Sequence, residues 1–293
     1  MEWGKEATTT MIPPLSLVLR AGCALVGLAL GGVQVGGAEP DAPPFKQLRV
    51  GTVVVSLPAA WTRRGPDLPV WLHLHGAPAV VEAQFASIGA PGILVNVTLP
   101  GLSKVYADRF AAPGALAELL AAVEAALRAE APEPGWRLGE LTVTSFSAGF
   151  GGVRQLLREP AAFDRITALV MADSIYCGYT GDPKDKQVDP ALMEGFLRFA
   201  RLAADGRKRM VISHSAQVPE GYASTTETAD FLIRALGGRR VEEPAAWDGG
   251  LQLLSHYRMG GLEILGFAGV GPEDHMRHLR GLGLLLARVT PKP

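Results

Sequence analysis

Apolar positions along the chain form two kinds of run, and each kind predicts a different element. Short and nearly continuous apolar runs, such as residues 92–98, are typical of strands buried on both faces of a parallel sheet. Longer runs rich in alanine and leucine, such as residues 114–129, are typical of helices that cover such a sheet. The predicted strands are 48–57, 69–75, 92–98, 141–144, 166–172, 209–214, 251–258 and 262–267. The predicted helices are 114–129, 148–158, 190–204, 224–237 and 274–287.

The alternation of strands and helices predicts an α/β fold, with a mostly parallel central sheet and helices on both faces. The helix that begins near residue 224 has clear ends, since Ser224 and Glu227 form a capping box and two glycines follow at 237–238. Residues 173–208 provide one helix and a charged loop between two strands, so we expect no large lid domain.

The first 38 residues have the pattern of a signal peptide. Arg20 precedes the short apolar run 21–30, and small residues at 36–38 suit a cleavage site. The run is short for a transmembrane helix, which needs about 20 apolar residues, although an uncleaved anchor is the alternative. We therefore expect a bacterial protein exported to the periplasm or medium, not stably inserted in a membrane after processing, with residues 39–293 as a single domain.

Charge and cysteine content narrow the class of protein further. A formal net charge of −1 gives no sign of a nucleic-acid partner or an acidic membrane surface. Beyond residue 38 the chain has only Cys177, so the processed domain cannot form an internal disulfide. Export without disulfides fits a protein of the bacterial envelope.

The segment 142–152 contains the strongest chemical signal in the chain. Ser145-Phe146-Ser147-Ala148-Gly149 is a small-x-Ser-x-Gly motif between a predicted strand and a predicted helix. Small neighbours allow the tight bend that exposes the hydroxyl of the central serine. Ser145 departs from the usual glycine at the first position of the motif. We interpret Ser147 as a candidate nucleophile.

A serine nucleophile needs a base, and the base needs a carboxylate to orient it. His275 follows the last predicted strand, on a loop that leads into the final helix, and is the favoured base over His278. His278 lies one turn further along and is expected to face solvent. Asp173, at the end of strand 166–172, is the favoured acid, and Glu220, after strand 209–214, is the alternative.

Two backbone N–H groups are candidates for stabilising an oxyanion. Ala77 follows His75-Gly76 at the end of a strand, and Ala148 follows Ser147. Tyr176 and Tyr106 are candidate substrate contacts, since both are placed near the same edge of the predicted sheet.

These motifs, in this order along residues 45–290, resemble the α/β-hydrolase family. The resemblance implies Ser147 as nucleophile, His275 as base, and Asp173 or Glu220 as the orienting acid. It also implies an acyl-enzyme intermediate that water resolves, without a cofactor or metal. The expected function is hydrolysis of carboxylic esters of small or carbohydrate-borne acyl groups, with a small-molecule or carbohydrate ester as the partner.

Three alternatives remain open from the sequence. The same residues could cleave amides or peptides, and the same fold could serve a non-catalytic binding protein. His73 and His75 lie on one strand face and His214 ends another strand, so a metal-dependent hydrolase is the third alternative.

Overall fold

The computed structural model describes residues 45–58, 66–130, 135–182 and 186–290. The predicted signal peptide of residues 1–38 lies outside the described residues. Within them, no helix has both the length and the apolar character needed to cross a membrane.

The strands of the structure, in chain order, are β1 (Phe45–Val50), β2 (Val53–Pro58), β3 (Asp67–Leu74), β4 (Ile93–Val97), β5 (Arg137–Phe146), β6 (Ile166–Ala172), β7 (Tyr179–Thr180), β8 (Gln187–Val188), β9 (Arg209–His214), β10 (Val241–Ala246), β11 (Gln252–Met259) and β12 (Leu262–Phe267). The α-helices are α1 (Pro78–Ser87), α2 (Ser103–Arg109), α3 (Ala115–Glu130), α4 (Phe150–Arg158), α5 (Pro160–Arg165), α6 (Pro190–Ala204), α7 (Thr225–Ala235), α8 (Pro272–Arg280) and α9 (Leu282–Leu286).

Ten strands form one sheet in the order β1-β2-β4-β3-β5-β6-β9-β12-β11-β10. The central strands from β4 to β12 pair in parallel, whereas the two strands at each edge pair antiparallel. The predicted fold class, α/β with a mostly parallel central sheet and helices on both faces, is confirmed. Parallel pairing also brings the carboxyl ends of β3, β5, β6, β9 and β12 to one edge, where ligands bind in open α/β sheets.

Successive residues of the central strands point into two separate apolar clusters. Leu72 and Leu169 lie in the cluster covered by α3, α4, α6 and α7, whereas their neighbours Trp71 and Val170 lie in the cluster covered by α1, α8 and α9. The alternation follows from the two-residue repeat of a strand. Because both faces are buried, these strands are mostly apolar, which is why their sequence pattern is so clear.

The described elements agree with most of the predicted ones. Strands 166–172 and 209–214 and helix 190–204 have the predicted bounds. In the interval between β6 and β9, the described residues form the short pair β7–β8 and helix α6, which fits the expected lack of a large lid domain.

Two predicted elements were wrong in detail, and several elements, among them helices α1, α2 and α5 and strand β10, were not predicted. The single strand expected at 48–57 is the hairpin β1–β2, whose turn contains Gly51 with φ of 60°. The final helix is two helices, with Gly281 between α8 and α9. Strand β10 was missed because it is a mostly exposed edge strand that contains Pro244 and acidic residues.

Buried histidines give the fold a pH-dependent stability. His73 on β3 is fully buried, with Nδ1 2.7 Å from Thr144 Oγ1 and Nε2 3.0 Å from the carbonyl oxygen of His75. Burial lowers the pKa of His73 to about 4, although the contact with the His75 carbonyl opposes that shift. His73 is therefore neutral in the folded protein at pH 7.

We expect the free energy of unfolding to fall when the pH is lowered from 7 to 5. The unfolded chain binds a proton at His73 near pH 6.5, but the folded chain does so only near pH 4. The stabilisation is thus complete above pH 6.5 and is lost as the pH falls towards 4. Between pH 7 and 5, His73 accounts for about 2 kcal/mol of the loss. Urea unfolding of wild type and of His73→Gln at pH 7 and at pH 5 measures this contribution of His73. If the free energy of unfolding depended on pH equally in both proteins, the prediction would be contradicted.

Candidate active site

Ser147 occupies a strained bend between strand β5 and helix α4. Its φ is 47°, a region that non-glycine residues rarely adopt, and a single 3₁₀ turn of Ser147–Gly149 leads into the helix. A Cβ atom at Gly149 would lie 2.2 Å from the carbonyl oxygen of Leu74 on β3. Glycine is therefore required at this position, because the bend packs directly against the neighbouring strand.

Ser145 replaces the glycine expected at the first position of the motif, and the structure gives it a structural role. It is fully buried, with Oγ 2.5 Å from Ser174 Oγ. Ser174 Oγ also lies 2.9 Å from the carbonyl oxygen of Ser147, to which it donates a hydrogen bond. These contacts join the Ser147 bend to the segment that follows β6.

Asp173 and His275 form a hydrogen-bonded pair at the same edge of the sheet. Asp173 Oδ2 lies 2.7 Å from His275 Nδ1, across 102 positions of sequence. The Asp173 side chain is completely buried, whereas that of His275 is 18 % exposed. With Nδ1 held by the carboxylate, Nε2 of His275 is the nitrogen left for proton transfer.

Further contacts hold Asp173 in its ionised form. Its second carboxylate oxygen, Oδ1, accepts hydrogen bonds from the backbone N–H of Ser215, at 2.9 Å, and from the Thr225 hydroxyl. Burial alone would raise the pKa of Asp173, but the hydrogen bond with His275, the positive charge of His278 and the Thr225 hydroxyl together lower it below its ordinary value. Asp173 itself has φ of 44°, so a second strained residue orients this pair.

Glu220 and His278 lack, within the described part of the chain, the contacts that the roles considered from sequence would need. Glu220 is exposed on the loop between β9 and α7, and among the described residues it has no hydrogen bond to His275. His278 does not face solvent as expected, because it is 1 % exposed, with Nδ1 2.8 Å from Ser213 Oγ. Helix α8 turns this side chain towards the sheet, one turn away from His275.

A row of three rings supports the histidine side of the site. Phe146 stacks on His275, with ring centroids 4.6 Å apart, and on His75, with centroids 6.1 Å apart. His75 Nδ1 lies 3.0 Å from the hydroxyl oxygen of Tyr106, and φ at His75 is 70°. Burial and the nearby charge of His275 lower the pKa of His75, so it is neutral beside the base.

The prediction that Tyr106 contacts substrate is wrong for this structure. Tyr106 is fully buried, and its hydroxyl lies within hydrogen-bond distance of His75 Nδ1 and of both backbone groups of Leu99. Its ring and hydroxyl are therefore used inside the protein, where they position His75.

A cavity of about 410 Å³ opens beside Ser147 and His275. Its lining consists of Leu102, Ser103, Ser147, Ala148, Phe150, Arg154, Tyr176, Cys177, Gly178, Gln217, Tyr222 and His275. The cavity thus brings together Ser147, His275, Ala148 and Tyr176 from the sequence-predicted set. The Ser147 hydroxyl has no hydrogen-bond partner in the part of the chain that the structure describes, and so it has no hydrogen bond with His275 there. Hydrogen bonds between a nucleophile and its base often tighten only when substrate is bound.

The two candidate oxyanion donors have different positions. Ala148 lines the cavity next to Ser147. Ala77 is exposed and caps the N-terminus of α1, beyond the cavity lining. The oxyanion role of each N–H group stays a prediction.

The histidines considered for a metal site have other partners. Both ring nitrogens of His73 contact Thr144 and His75, as described above. His214 Nδ1 lies 2.8 Å from Thr226 Oγ1, and its Nε2 lies 2.8 Å from Arg240 Nη1. No group of three potential metal ligands converges within the described ranges.

Sequence reasoning missed Phe150, Arg154 and Gln217 in the cavity wall. Phe150 and Arg154 lie on α4, three and seven residues after Ser147, and therefore one and two helical turns beyond it. Helical spacing from the candidate nucleophile was the available signal. Gln217 lies on an irregular loop and gave no such signal.

The sequence matches no protein-family model and no curated protein. Several solved structures are similar to part of this chain. An uncharacterised protein from Capnocytophaga ochracea has a TM-score of 0.46 and 14% identity, covering 83% of this chain and 62% of that protein. This chain therefore spans less than two thirds of that protein's length.

Two esterase structures are also similar. Esterase 2 of Thermogutta terrifontis, phosphonylated by sarin, has a TM-score of 0.45 and 15% identity, covering 86% of this chain and 99% of the esterase. A cold-adapted esterase from an Arctic intertidal metagenomic library has a TM-score of 0.41 and 14% identity, covering 84% and 93%.

Proposed function

We propose that this protein is a serine hydrolase that cleaves carboxylic esters of small molecules. The observation that supports it most strongly is the 2.7 Å contact of Asp173 with His275, at a cavity that Ser147 also lines. A strained serine, an imidazole and a buried carboxylate are the three groups that acyl transfer through serine needs. The positive φ values of Ser147 and Asp173 add to this support, because backbone strain of this kind clusters at functional sites.

In the proposed mechanism, the Ser147 hydroxyl attacks the ester carbonyl carbon while His275 Nε2 accepts its proton. Asp173 stabilises the imidazolium that forms. The N–H groups of Ala148 and Ala77 are the proposed donors to the oxyanion of the tetrahedral intermediate. His275 then protonates the departing alcohol oxygen, which leaves Ser147 acylated. Water, deprotonated by His275, attacks the acyl carbon and releases the carboxylic acid and the free serine.

The size and lining of the cavity favour small esters. A volume of about 410 Å³ is at the lower end of the range for ligand sites, about 300–1,000 Å³. The aromatic rings of Phe150, Tyr176 and Tyr222 form one wall, with Tyr176 contacting both of the others. Acyl groups of a few carbons, or an aromatic ring, fit this space, whether the alcohol is a small molecule or a carbohydrate.

Hydrolysis of p-nitrophenyl esters from acetate to laurate tests the proposal. We expect kcat/KM to be highest for acyl chains of two to six carbons and to fall for laurate, which exceeds the cavity. The matching p-nitroanilides, measured in parallel, distinguish an esterase from an amidase using the same residues. Absence of turnover on every ester would contradict the proposed function and favour a binding protein.

A further inference from the structure

Arg154 is a cation placed in the wall of the cavity. It lies on α4, two turns beyond Ser147, and it lines the cavity together with Phe150 and Tyr176. Its guanidinium carbon is 4.9 Å from the centre of the Phe150 ring. One terminal nitrogen, Nη2, donates a hydrogen bond of 2.6 Å to the carbonyl oxygen of Tyr176. That contact orients the planar group between the helix and the segment after β6.

The guanidinium has more donors than partners. Among the described residues, no carboxylate forms an ion pair with Arg154, and its buried Nε has no hydrogen-bond partner. The charge of Asp189 attracts it only from beyond ion-pair distance, and Arg158 opposes that attraction. Nη1 has no hydrogen-bond partner among the described residues either, and unlike Nε it is not buried, so it is the donor that an anion in the cavity reaches. A half-buried cation with unmet donors costs free energy, unless a bound anion supplies a partner.

The aromatic wall adds to this arrangement. Phe150 and Tyr176 hold rings 5.6 Å apart beside the guanidinium, and Tyr222 continues the wall. A substrate with an apolar body and a terminal carboxylate would contact these rings and still reach the cation. Arginine binds carboxylates with two parallel hydrogen bonds, which makes such recognition selective.

We infer that Arg154 binds a carboxylate group of the ester substrate, so that the enzyme prefers esters that carry a negative charge on the acyl or the alcohol side. This inference rests on the proposed function and names the substrate class of the same site. The competing explanation is purely structural: Arg154 would only fasten the segment after β6 through the Tyr176 carbonyl. In that case its loss would affect charged and neutral esters alike.

Matched pairs of charged and neutral esters distinguish carboxylate binding by Arg154 from a purely structural role. They also show whether the preferred charge lies on the acyl side or on the alcohol side. On the acyl side, the p-nitrophenyl monoester of glutarate is compared with p-nitrophenyl valerate. On the alcohol side, 4-acetoxybenzoate is compared with 4-methylphenyl acetate. In wild type, we expect the charged member of at least one pair to have the higher kcat/KM.

The decisive quantity is the ratio of kcat/KM for the charged ester to kcat/KM for the neutral ester, measured before and after substitution of Arg154. Arg154→Met should lower kcat/KM for the preferred charged ester by about 10- to 100-fold, the effect of losing a hydrogen bond to a charged group. The neutral ester should lose much less than the charged one, since it loses only the support that Arg154 gives to the cavity wall through the Tyr176 carbonyl, and Arg154→Lys should restore part of the preference. Arg158→Met, an exposed arginine one turn further on α4, is the matched control and should keep the wild-type ratio.

The inference is overturned if wild type shows no charge preference in either pair, or if Arg154→Met lowers both members equally. Calorimetric binding of glutarate and of 4-hydroxybenzoate to wild type and Arg154→Met gives a readout independent of turnover. Binding that disappears in the variant supports the inference, and no binding to wild type overturns it. Failure to hydrolyse any ester would overturn the proposed function and the claim that the bound carboxylate belongs to an ester substrate, whereas the calorimetry would still show whether Arg154 binds a carboxylate.

Discussion

Ser147→Ala is expected to lower kcat for p-nitrophenyl esters by on the order of 10⁴ or more. The alanine variant has no oxygen to attack the carbonyl, and residual turnover would come from water acting in the remaining cavity. Because the hydroxyl has no hydrogen-bond partner among the described residues, its removal leaves the packing of the bend intact. We therefore expect an unchanged melting temperature alongside the loss of activity.

Ser103→Ala is the matched control for this experiment. Ser103 also lines the cavity, at the start of α2, and it has no part in the proposed mechanism. We expect this variant to keep most of the wild-type kcat. Equal activity of Ser147→Ala and wild type would rule out Ser147 as the nucleophile and restore the binding-protein and metal alternatives.

Asp173→Asn is expected to lower kcat by on the order of 10³- to 10⁴-fold. An asparagine amide at this position can donate to His275 Nδ1, which leaves the proton of the neutral ring on Nε2, where it blocks acceptance from Ser147. The asparagine oxygen can still accept from Ser215 N–H and Thr225, so the local structure should survive. Measuring kcat across pH together with the melting temperature distinguishes lost chemistry from lost folding.

Glu220→Gln is the variant to compare with Asp173→Asn, because it tests the other carboxylate considered as the partner of His275. Glu220 was the alternative from sequence, and it is exposed on its loop. We expect wild-type kcat in this variant. A loss of activity in Glu220→Gln with little change in Asp173→Asn would show that the loop of Glu220 closes over His275 in the working enzyme.

The sequence was sufficient for the central part of the fold because burial on both faces leaves an unmistakable pattern. Strand 166–172 is apolar at every position except Thr167, and helix 190–204 is preceded by Asp189 and begins at Pro190, two residues that favour a helix start. Strands at the edge of the sheet are not buried on both faces, so their sequences need not be apolar. Strand β10 is exposed and contains proline, so it has no pattern that distinguishes it from a loop.

The sequence was sufficient to predict the residues that follow the strand ends, but not the direction in which other side chains of the site point. Ser147, Asp173 and His275 each directly follow a strand or its loop at the same edge of a parallel sheet. Which way a side chain turns on leaving a strand is decided by tertiary contacts. Tyr106 and His278 are buried, and Arg154 faces the cavity, for reasons of packing between helices and strands far apart in sequence.

Covalent labelling by a fluorophosphonate tests the central claim most directly, because phosphonylation requires an activated serine and no knowledge of the substrate. Wild type should gain the mass of one phosphonyl group, on the peptide that contains Ser147. Asp173→Asn should react far more slowly, and Ser147→Ala should gain no mass. A wild-type protein that stays unlabelled, or a label that persists in Ser147→Ala, would contradict the assignment of Ser147 as the nucleophile.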